Sequence, residues 1–264
     1  MLRLIVAQSE RELADAQRVR ARVYCEEERL LSSDMAPDGR ERDDRDYADS
    51  TLHLLMYSDA EPVGTVRLSP ATTLLDATAA GFGFDLETTF ALHGFDLKAI
   101  RLAEITRYCV VRKMRGTRVA QALFAALQIY SKRLGITHWV AAANMETDCA
   151  EDAAIAHRVI QAKQLVSPDF AASARAGLGP ATARRFIYTP EERLLAQQGQ
   201  LSSLKLPRIL SLFAGKLGAR YLGSPGYDAH FGVFAMPLAV DVHAISNGAT
   251  TRRQSKKTEL RLFL

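Results

Sequence analysis

Hydrophobic and polar positions along the chain change period several times, and each change marks an element. Residues 2–7 read as a first strand. Ser9 followed by Glu12 has the spacing of a capping box, and Leu13, Ala16, Val19 and Val23 then recur at helical intervals. On that helix Arg20 and Tyr24 lie one turn apart and share a side. The polar, Asp-rich stretch 32–49 reads as loop. Strands follow at 52–57 and 63–68, joined by the short turn Ser58-Asp59-Ala60-Glu61-Pro62. Within 70–100 Gly81 and Gly83 indicate loop, and Asp85-Leu86-Glu87 opens a short helix. A β-branched, apolar strand at 101–111 leads through a basic turn, 112–118, into a helix whose apolar positions are Ala120, Leu123, Phe124, Leu127, Tyr130 and Leu134. Beyond it come a strand at 136–143 and a helix at 151–165. Periodicity weakens over 167–200, where Gly177, Gly179, Pro180 and Pro190 interrupt it. Pro207 suits the first turn of a helix over 206–217. Apolar segments at 219–222 and 231–242 flank Gly-Ser-Pro-Gly-Tyr-Asp and pair as a hairpin.

This order predicts an α/β fold with a central sheet of mixed direction flanked by helices. It reads as one domain over 1–242, with a helical insertion at about 165–205. The tail, 243–264, is basic (Arg252, Arg253, Lys256, Lys257, Arg261) and carries no core pattern, so a flexible segment is expected.

Composition narrows the class. With 264 residues and 48% hydrophobic positions the chain is globular and can bury a substantial core. A net charge of +4 permits an acidic partner without demanding nucleic acid. Cys25, Cys109 and Cys149 are odd in number and form no C-x-x-C pair, which predicts reduced thiols and a cytoplasmic protein. Residues 2–7 are too short for a signal peptide, and no uncharged run is long enough to span a bilayer. The six histidines show no H-x-x-x-H spacing, so no metal is expected.

The chemistry concentrates on strand 101–111 and the turn after it. Glu104 and Arg107 interrupt an otherwise apolar strand. Strict alternation would put them on opposite faces, and a bulge between them is required if they are to act together. Arg67 likewise sits among apolar neighbours and must find a partner if buried. The basic turn and the helix N-terminus behind it form an anion site, because backbone N–H groups and the helix dipole converge there.

Arg20-x-x-x-Tyr24, Glu41-x-Asp43-x-x-Asp46, Gly64-Thr65-Val66-Arg67-Leu68 and Glu104-Ile105-Thr106-Arg107-Tyr108-Cys109-Val110, in this order, resemble the acyl-homoserine-lactone synthase branch of the GNAT superfamily. They are similar also to the long-chain N-acyl amino acid synthases and the haemolysin-like ornithine N-acyltransferases. Leu206-Pro207-Arg208-Ile209-Leu210, Leu217-Gly218-Ala219-Arg220 and 225–232 resemble the C-terminal part of the ornithine acyltransferases. The resemblance implies a GNAT fold that passes a fatty acyl group from acyl carrier protein, or less often CoA, to an amine. It implies that Arg20, Tyr24, Asp43, Asp46 and Arg67 organise the acceptor side, with Glu104 and Arg107 beside the thioester as catalytic groups. Tyr108, Val110, Arg112, Arg115, Gly116 and Arg118 would hold the phosphopantetheine arm of the donor, with no tightly bound cofactor. Two departures matter. Residues 26–31 lack the Trp expected of a homoserine-lactone synthase. Arg118 stands where GNAT pyrophosphate loops carry Gly, which suits one phosphate better than a nucleotide.

Thioester aminolysis needs a base, and Glu104 is placed to serve; equally, it could pair with Arg67 or Arg107 and only hold the sheet. A backbone N–H near Tyr108–Val110 would meet the oxyanion. Arg112, Lys113, Arg115, Arg118, Lys132 and Arg133 could dock an acidic carrier protein, and the tail could touch anionic lipid at the inner membrane. Competing readings are a homoserine-lactone synthase, a short-chain acyl-CoA N-acetyltransferase, and a non-enzymatic basic module.

Overall fold

The computed structural model describes residues 1–72, 81–175, 177 and 179–245, and the backbone of 261–262. In chain order the elements are β1 (Leu2–Val6), α1 (Glu10–Ala21), β2 (Leu52–Ser58), β3 (Glu61–Pro70), β4 (Phe90–His93), β5 (Leu102–Val110), α2 (Arg118–Arg133), β6 (His138–Asn144), α3 (Ala150–Ala162), β7 (Ala171–Ala174), α4 (Pro190–Gln197), α5 (Arg208–Leu217), β8 (Arg220–Tyr221), β9 (Gly226–Asp228), β10 (Val233–Asp241) and β11 (Arg261–Leu262). The chain divides into two compact units. One contains 1–72, 103–136 and β11; the other contains the described parts of 73–102 and 137–249.

In the first unit the strands run β11-β1-β2-β3-β5, antiparallel throughout except for the parallel β1–β11 pair. α1 starts as the sequence predicts: the Ser9 hydroxyl accepts the Glu12 N–H and the Glu12 carboxylate accepts the Ser9 N–H. At its end α1 does not stop but widens into a π turn, Arg22–Glu27, in which the Glu28 N–H reaches Val23 O. Cross-strand partners share a face of the sheet, so Thr65 with Cys109, Arg67 with Thr106 and Ser69 with Glu104 line one side. Gly64 with Val110 and Leu68 with Ile105 line the other, and α2 packs there.

α2 buries Val119, Ala122, Leu123, Ala126, Leu127 and Ser131. This corrects the expected stripe, which included Leu134; that residue caps the helix and is exposed. The alanines at 122 and 126 let the axis approach the sheet closely, and closeness decides which stripe is covered. Gly64 is the counterpart on β3: a Cβ there would stand 2.8 Å from Val119 Cγ1 and 3.1 Å from Leu123 Cδ1.

In the second unit β10 pairs with β6 from Ala235 opposite Asn144 to Asp241 opposite His138, and on its other side with β8 and β9. The hairpin expected across 219–242 is therefore present, with β9 added to it. A separate antiparallel pair, β4 with β7, was not foreseen. Its strands lie in the two weak stretches, and Ala171-Ala172-Ser173-Ala174 has no apolar–polar alternation to announce a strand. The short helix expected near 85–87 is a single 3₁₀ turn, Asp85–Thr88. The stretch 184–188 is held by two acids of the α3 entry: Asp148 accepts the N–H of Arg184 and Arg185, and Asp152 those of Ile187 and Tyr188. Among the described residues no helix is long and apolar enough to cross a membrane. The basic tail residues Arg252, Arg253, Lys256 and Lys257 lie outside the described residues.

The closeness of α2 to β3 carries a prediction. Gly64→Ala should lower stability by about 1–3 kcal/mol through overpacking against the stiff Val119 side chain, read as a reduced denaturation midpoint at unchanged m-value.

Candidate active site

Three guanidinium groups and three carboxylates meet on the Arg67 side of the first unit, and their contacts alternate in sign around a closed ring. Arg20 on α1 bonds both oxygens of Asp46, at 2.7 and 2.6 Å, and its Nε reaches Glu41 Oε2 at 2.5 Å. Glu41 Oε1 accepts Arg107 Nε at 3.1 Å, and Arg107 Nη2 donates to Asp43 Oδ2 at 2.7 Å. Asp43 Oδ1 takes Arg67 Nη1 at 2.6 Å, and the same nitrogen returns to Asp46 Oδ1 at 2.8 Å. Each carboxylate thus bridges a different pair of arginines, and the six formal charges cancel. Arg20 and Arg67 are both 0% exposed. Burial of such charges is tolerable only when each is paired and hydrogen-bonded.

The local chain explains how the acids arrive. Asp43 caps the 3₁₀ turn Asp44–Tyr47, its Oδ1 accepting the Arg45 N–H at 2.9 Å, while Asp46 Oδ2 accepts the Asp43 N–H at 3.4 Å. The Asp-rich loop is therefore folded onto itself before it meets the arginines. The Gln17 amide and the His53 ring complete the surroundings: Gln17 Nε2 donates to Asp46 Oδ2 at 3.1 Å, and His53 Nε2 lies 3.0 Å from Asp46 O.

Arg107 reaches the ring because β5 bulges. Arg67 faces Thr106 and Thr65 faces Cys109, so Arg107 and Tyr108 together oppose Val66. Arg107 takes φ +54°, a left-handed conformation that a side chain rarely adopts and that suits the first position of a bulge. The extra residue resets the alternation and sends Arg107 to the face that carries Glu104. The bulge expected between them is present. Glu104 is buried on β5 opposite Ser69, and Arg67 Nε donates to Thr106 Oγ1 at 2.8 Å between them.

Burial alone would raise the Asp46 carboxyl, but the bond and charge of Arg20, joined by Arg67, outweigh it and hold Asp46 well below the usual range. Asp43 is lowered likewise: burial opposes, and Arg67 and Arg107 prevail. Burial pushes the His53 imidazole down despite Asp46. The Cys109 thiol is driven by burial up to about 12, even with the Tyr24 phenol hydrogen-bonded to it. Tyr24 therefore sits against β5 one turn from Arg20, on the same side, and burial raises it strongly.

The donor-side residues are arranged differently from the ring. Tyr108 stacks on Phe124, ring centroids 4.6 Å apart, and its hydroxyl donates to Ala120 O at 3.3 Å. Val110 O accepts Arg115 Nε at 3.0 Å. Gly116 has φ +78° and leads into Thr117, whose hydroxyl caps α2 by accepting the Val119 N–H. Arg118 is exposed and has no ion pair among the described residues. Arg112 and Arg115 are both engaged by Glu27 and Glu28 of the π turn. Among the described residues no group of His, Cys, Asp and Glu is set to hold a metal ion.

The sequence profile of the N-acyl amino acid synthase FeeM family matches residues 15–171, more than half of the chain. The chain belongs to the FeeM N-acyl amino acid synthase family. That stretch holds the whole ring, the bulge and the basic turn. In fold the chain is similar to the solved structure of FeeM, an N-acyl amino acid synthase from uncultured soil microbes, at TM-score 0.51 and 11% identity, over 96% of this chain and 97% of that one. It is similar also to the AHL synthase LasI, at TM-score 0.50 and 12% identity, over 98% of each chain. A search of the curated proteins finds no match. The fold is thus of the type found in FeeM and LasI, a mixed α/β arrangement with mostly antiparallel strands flanked by helices, and the FeeM-family protein is an N-acyltransferase.

Sequence reasoning named Arg20, Asp43, Asp46, Arg67 and Arg107 but left Glu41 out of the site, although it stands two residues before Asp43 in the same run. Glu104 already balanced the third arginine in that reading, so the available signal was only that Glu41 shares the run Glu41-x-Asp43-x-x-Asp46. Thr106 and Gln17 gave no such signal.

Two predictions follow from the ring. Glu41→Gln or Asp46→Asn strips one bridge and leaves two arginines short of a counter-charge. Either should cost about 3–5 kcal/mol, measured by chemical denaturation. For pH, the native His53 pKa lies below its ordinary value near 6.5, so its unfolded form binds protons first; the native Asp43 and Asp46 values lie below about 4. All three withdraw stability as pH falls. Tm should drop in two stages, first from about pH 6.5 downward and then more steeply below about pH 4, and His53→Gln should shrink the first stage to the part that His138 and His157, also lowered by burial, contribute.

Proposed function

We propose that this N-acyltransferase moves a long-chain fatty acyl group from an acyl carrier protein thioester to the amine of an amino acid. The observation that carries the reading is the bulge that turns Arg107 onto the Glu104 face of β5 beside the closed ring of charges. In this reading the ring fixes the acceptor side, with Arg20, Tyr24, Asp43, Asp46 and Arg67 holding position rather than exchanging protons. Glu104 removes a proton from the acceptor ammonium, directly or through water, and the freed amine attacks the thioester carbonyl. A backbone N–H within Tyr108–Val110 meets the oxyanion, which a bulge supports because it leaves a residue out of the ladder. That attack forms the C–N bond; the intermediate then collapses with cleavage of the C–S bond, and the leaving thiolate takes up the second proton that the nitrogen sheds as the amide forms. Gly116 and Arg118, at the start of α2, meet the phosphodiester of the arm.

Incubation with palmitoyl-carrier protein, palmitoyl-CoA and acetyl-CoA in parallel, with a mixture of amino acids, tests the donor by thiol release and the acceptor by mass spectrometry of the product. Release from the palmitoyl-carrier protein with an N-palmitoyl amino acid formed is expected; turnover of acetyl-CoA alone overturns the reading. Glu104→Gln should lower kcat by about 10²–10⁴ at unchanged Tm, and a rate near wild type would reduce Glu104 to a structural role.

A further inference from the structure

The turn after β5 looks strongly basic in sequence, yet anions of the chain itself already occupy it. Glu27 Oε2 accepts the backbone N–H of Arg112 at 2.7 Å and Nη2 of Arg115 at 3.2 Å, and Glu27 O accepts Arg112 Nη2. Glu28 Oε1 binds Arg115 Nη1 and lies 3.6 Å from Arg112 Nη2. Lys113 is paired with Glu61 at 2.5 Å. A main-chain N–H beside a guanidinium is the combination with which such loops grip phosphate oxygens. Here a carboxylate holds both, and its side chain is 11% exposed. The π turn delivers it: the wider spacing, with the Glu28 N–H on Val23 O, carries residues 27 and 28 across to the turn.

We propose that Glu27 and Glu28 are specificity-determining residues that close this turn to the nucleotide end of a CoA thioester. CoA brings a diphosphate and a 3′-phosphate; a carrier-borne arm brings one phosphodiester. Seating the former at Arg112 and Arg115 requires displacing two carboxylates or accepting like charges at contact, a repulsive element aimed at one class of donor. The single phosphodiester needs only Arg118 and the adjoining backbone, which Glu27 and Glu28 do not touch. The inference rests on the acyl-transfer reading for its donor, but the binding it predicts does not require turnover.

Calorimetric titration of the wild type, Glu27→Gln/Glu28→Gln and Glu26→Gln with CoA and with 4′-phosphopantetheine tests it. Glu26 is the control, an exposed neighbour with no ion pair among the described residues. The double variant should bind CoA about tenfold more tightly than wild type, with 4′-phosphopantetheine changing by less than about threefold. Glu28→Gln alone keeps Glu27 on the Arg112 N–H and should give a smaller gain of the same sign, which covers the case in which the double variant fails to fold. Unchanged CoA affinity in the folded double or single variant, or an equal gain in Glu26→Gln, overturns the proposal. A tenfold gain without turnover of any thioester by any form upholds the exclusion and removes the acyl-transfer reading instead.

Discussion

Six charges, five of them buried and Asp43 partly so, arranged so that every neighbour has the opposite sign, impose the strongest constraint on the first unit. Taken singly, each arginine would be costly to bury, and each ion pair alone would barely offset its own desolvation. Closing the sequence of contacts changes the balance, because every carboxylate has two guanidinium partners and every guanidinium two carboxylates. The ring also joins parts far apart in sequence: α1 through Arg20, the folded loop through Glu41, Asp43 and Asp46, β3 through Arg67, and β5 through Arg107. These elements are held in register by charge rather than by apolar packing alone.

The bulge is the second constraint, and it follows from the first. A regular β5 would direct Arg107 to the α2 side, where Gly64, Val119 and Leu123 leave no space for a guanidinium. Left-handed backbone at Arg107 is unfavourable, and two carboxylates waiting on the far face compensate for it. The same irregularity sits where the acyl-transfer reading needs a backbone donor, so in that reading one feature meets both demands.

Much of this was legible because the signals were local or strictly periodic. The capping box at Ser9 and Glu12, the short turn between β2 and β3, and the parity conflict between Glu104 and Arg107 can each be read within a dozen residues. The last is instructive: two charges three apart on a strand either point to opposite sides or force a bulge, and the fold chose the bulge. What escaped depended on distance. Glu27 finds Arg112 and Arg115 across 85 and 88 residues, so much of a segment that reads as bare positive charge is already paired. β4 and β7 escaped because each is four residues long and β7, all Ala and Ser, carries no strand pattern of its own; their mutual pairing makes them strands.

The π turn that ends α1 adds a lesson about phase. It holds one residue more per turn than an α-helix, and residues beyond it face a direction about 100° away from the one an ordinary helix would give them. Loss of a single residue within Arg22–Glu26 would let the segment return to regular winding with both glutamates still facing the arginines, because the missing residue and the lost π turn offset one another. The facing of Glu27 and Glu28 is therefore set by winding and chain length together, and either one changed without the other would turn them away from Arg112 and Arg115.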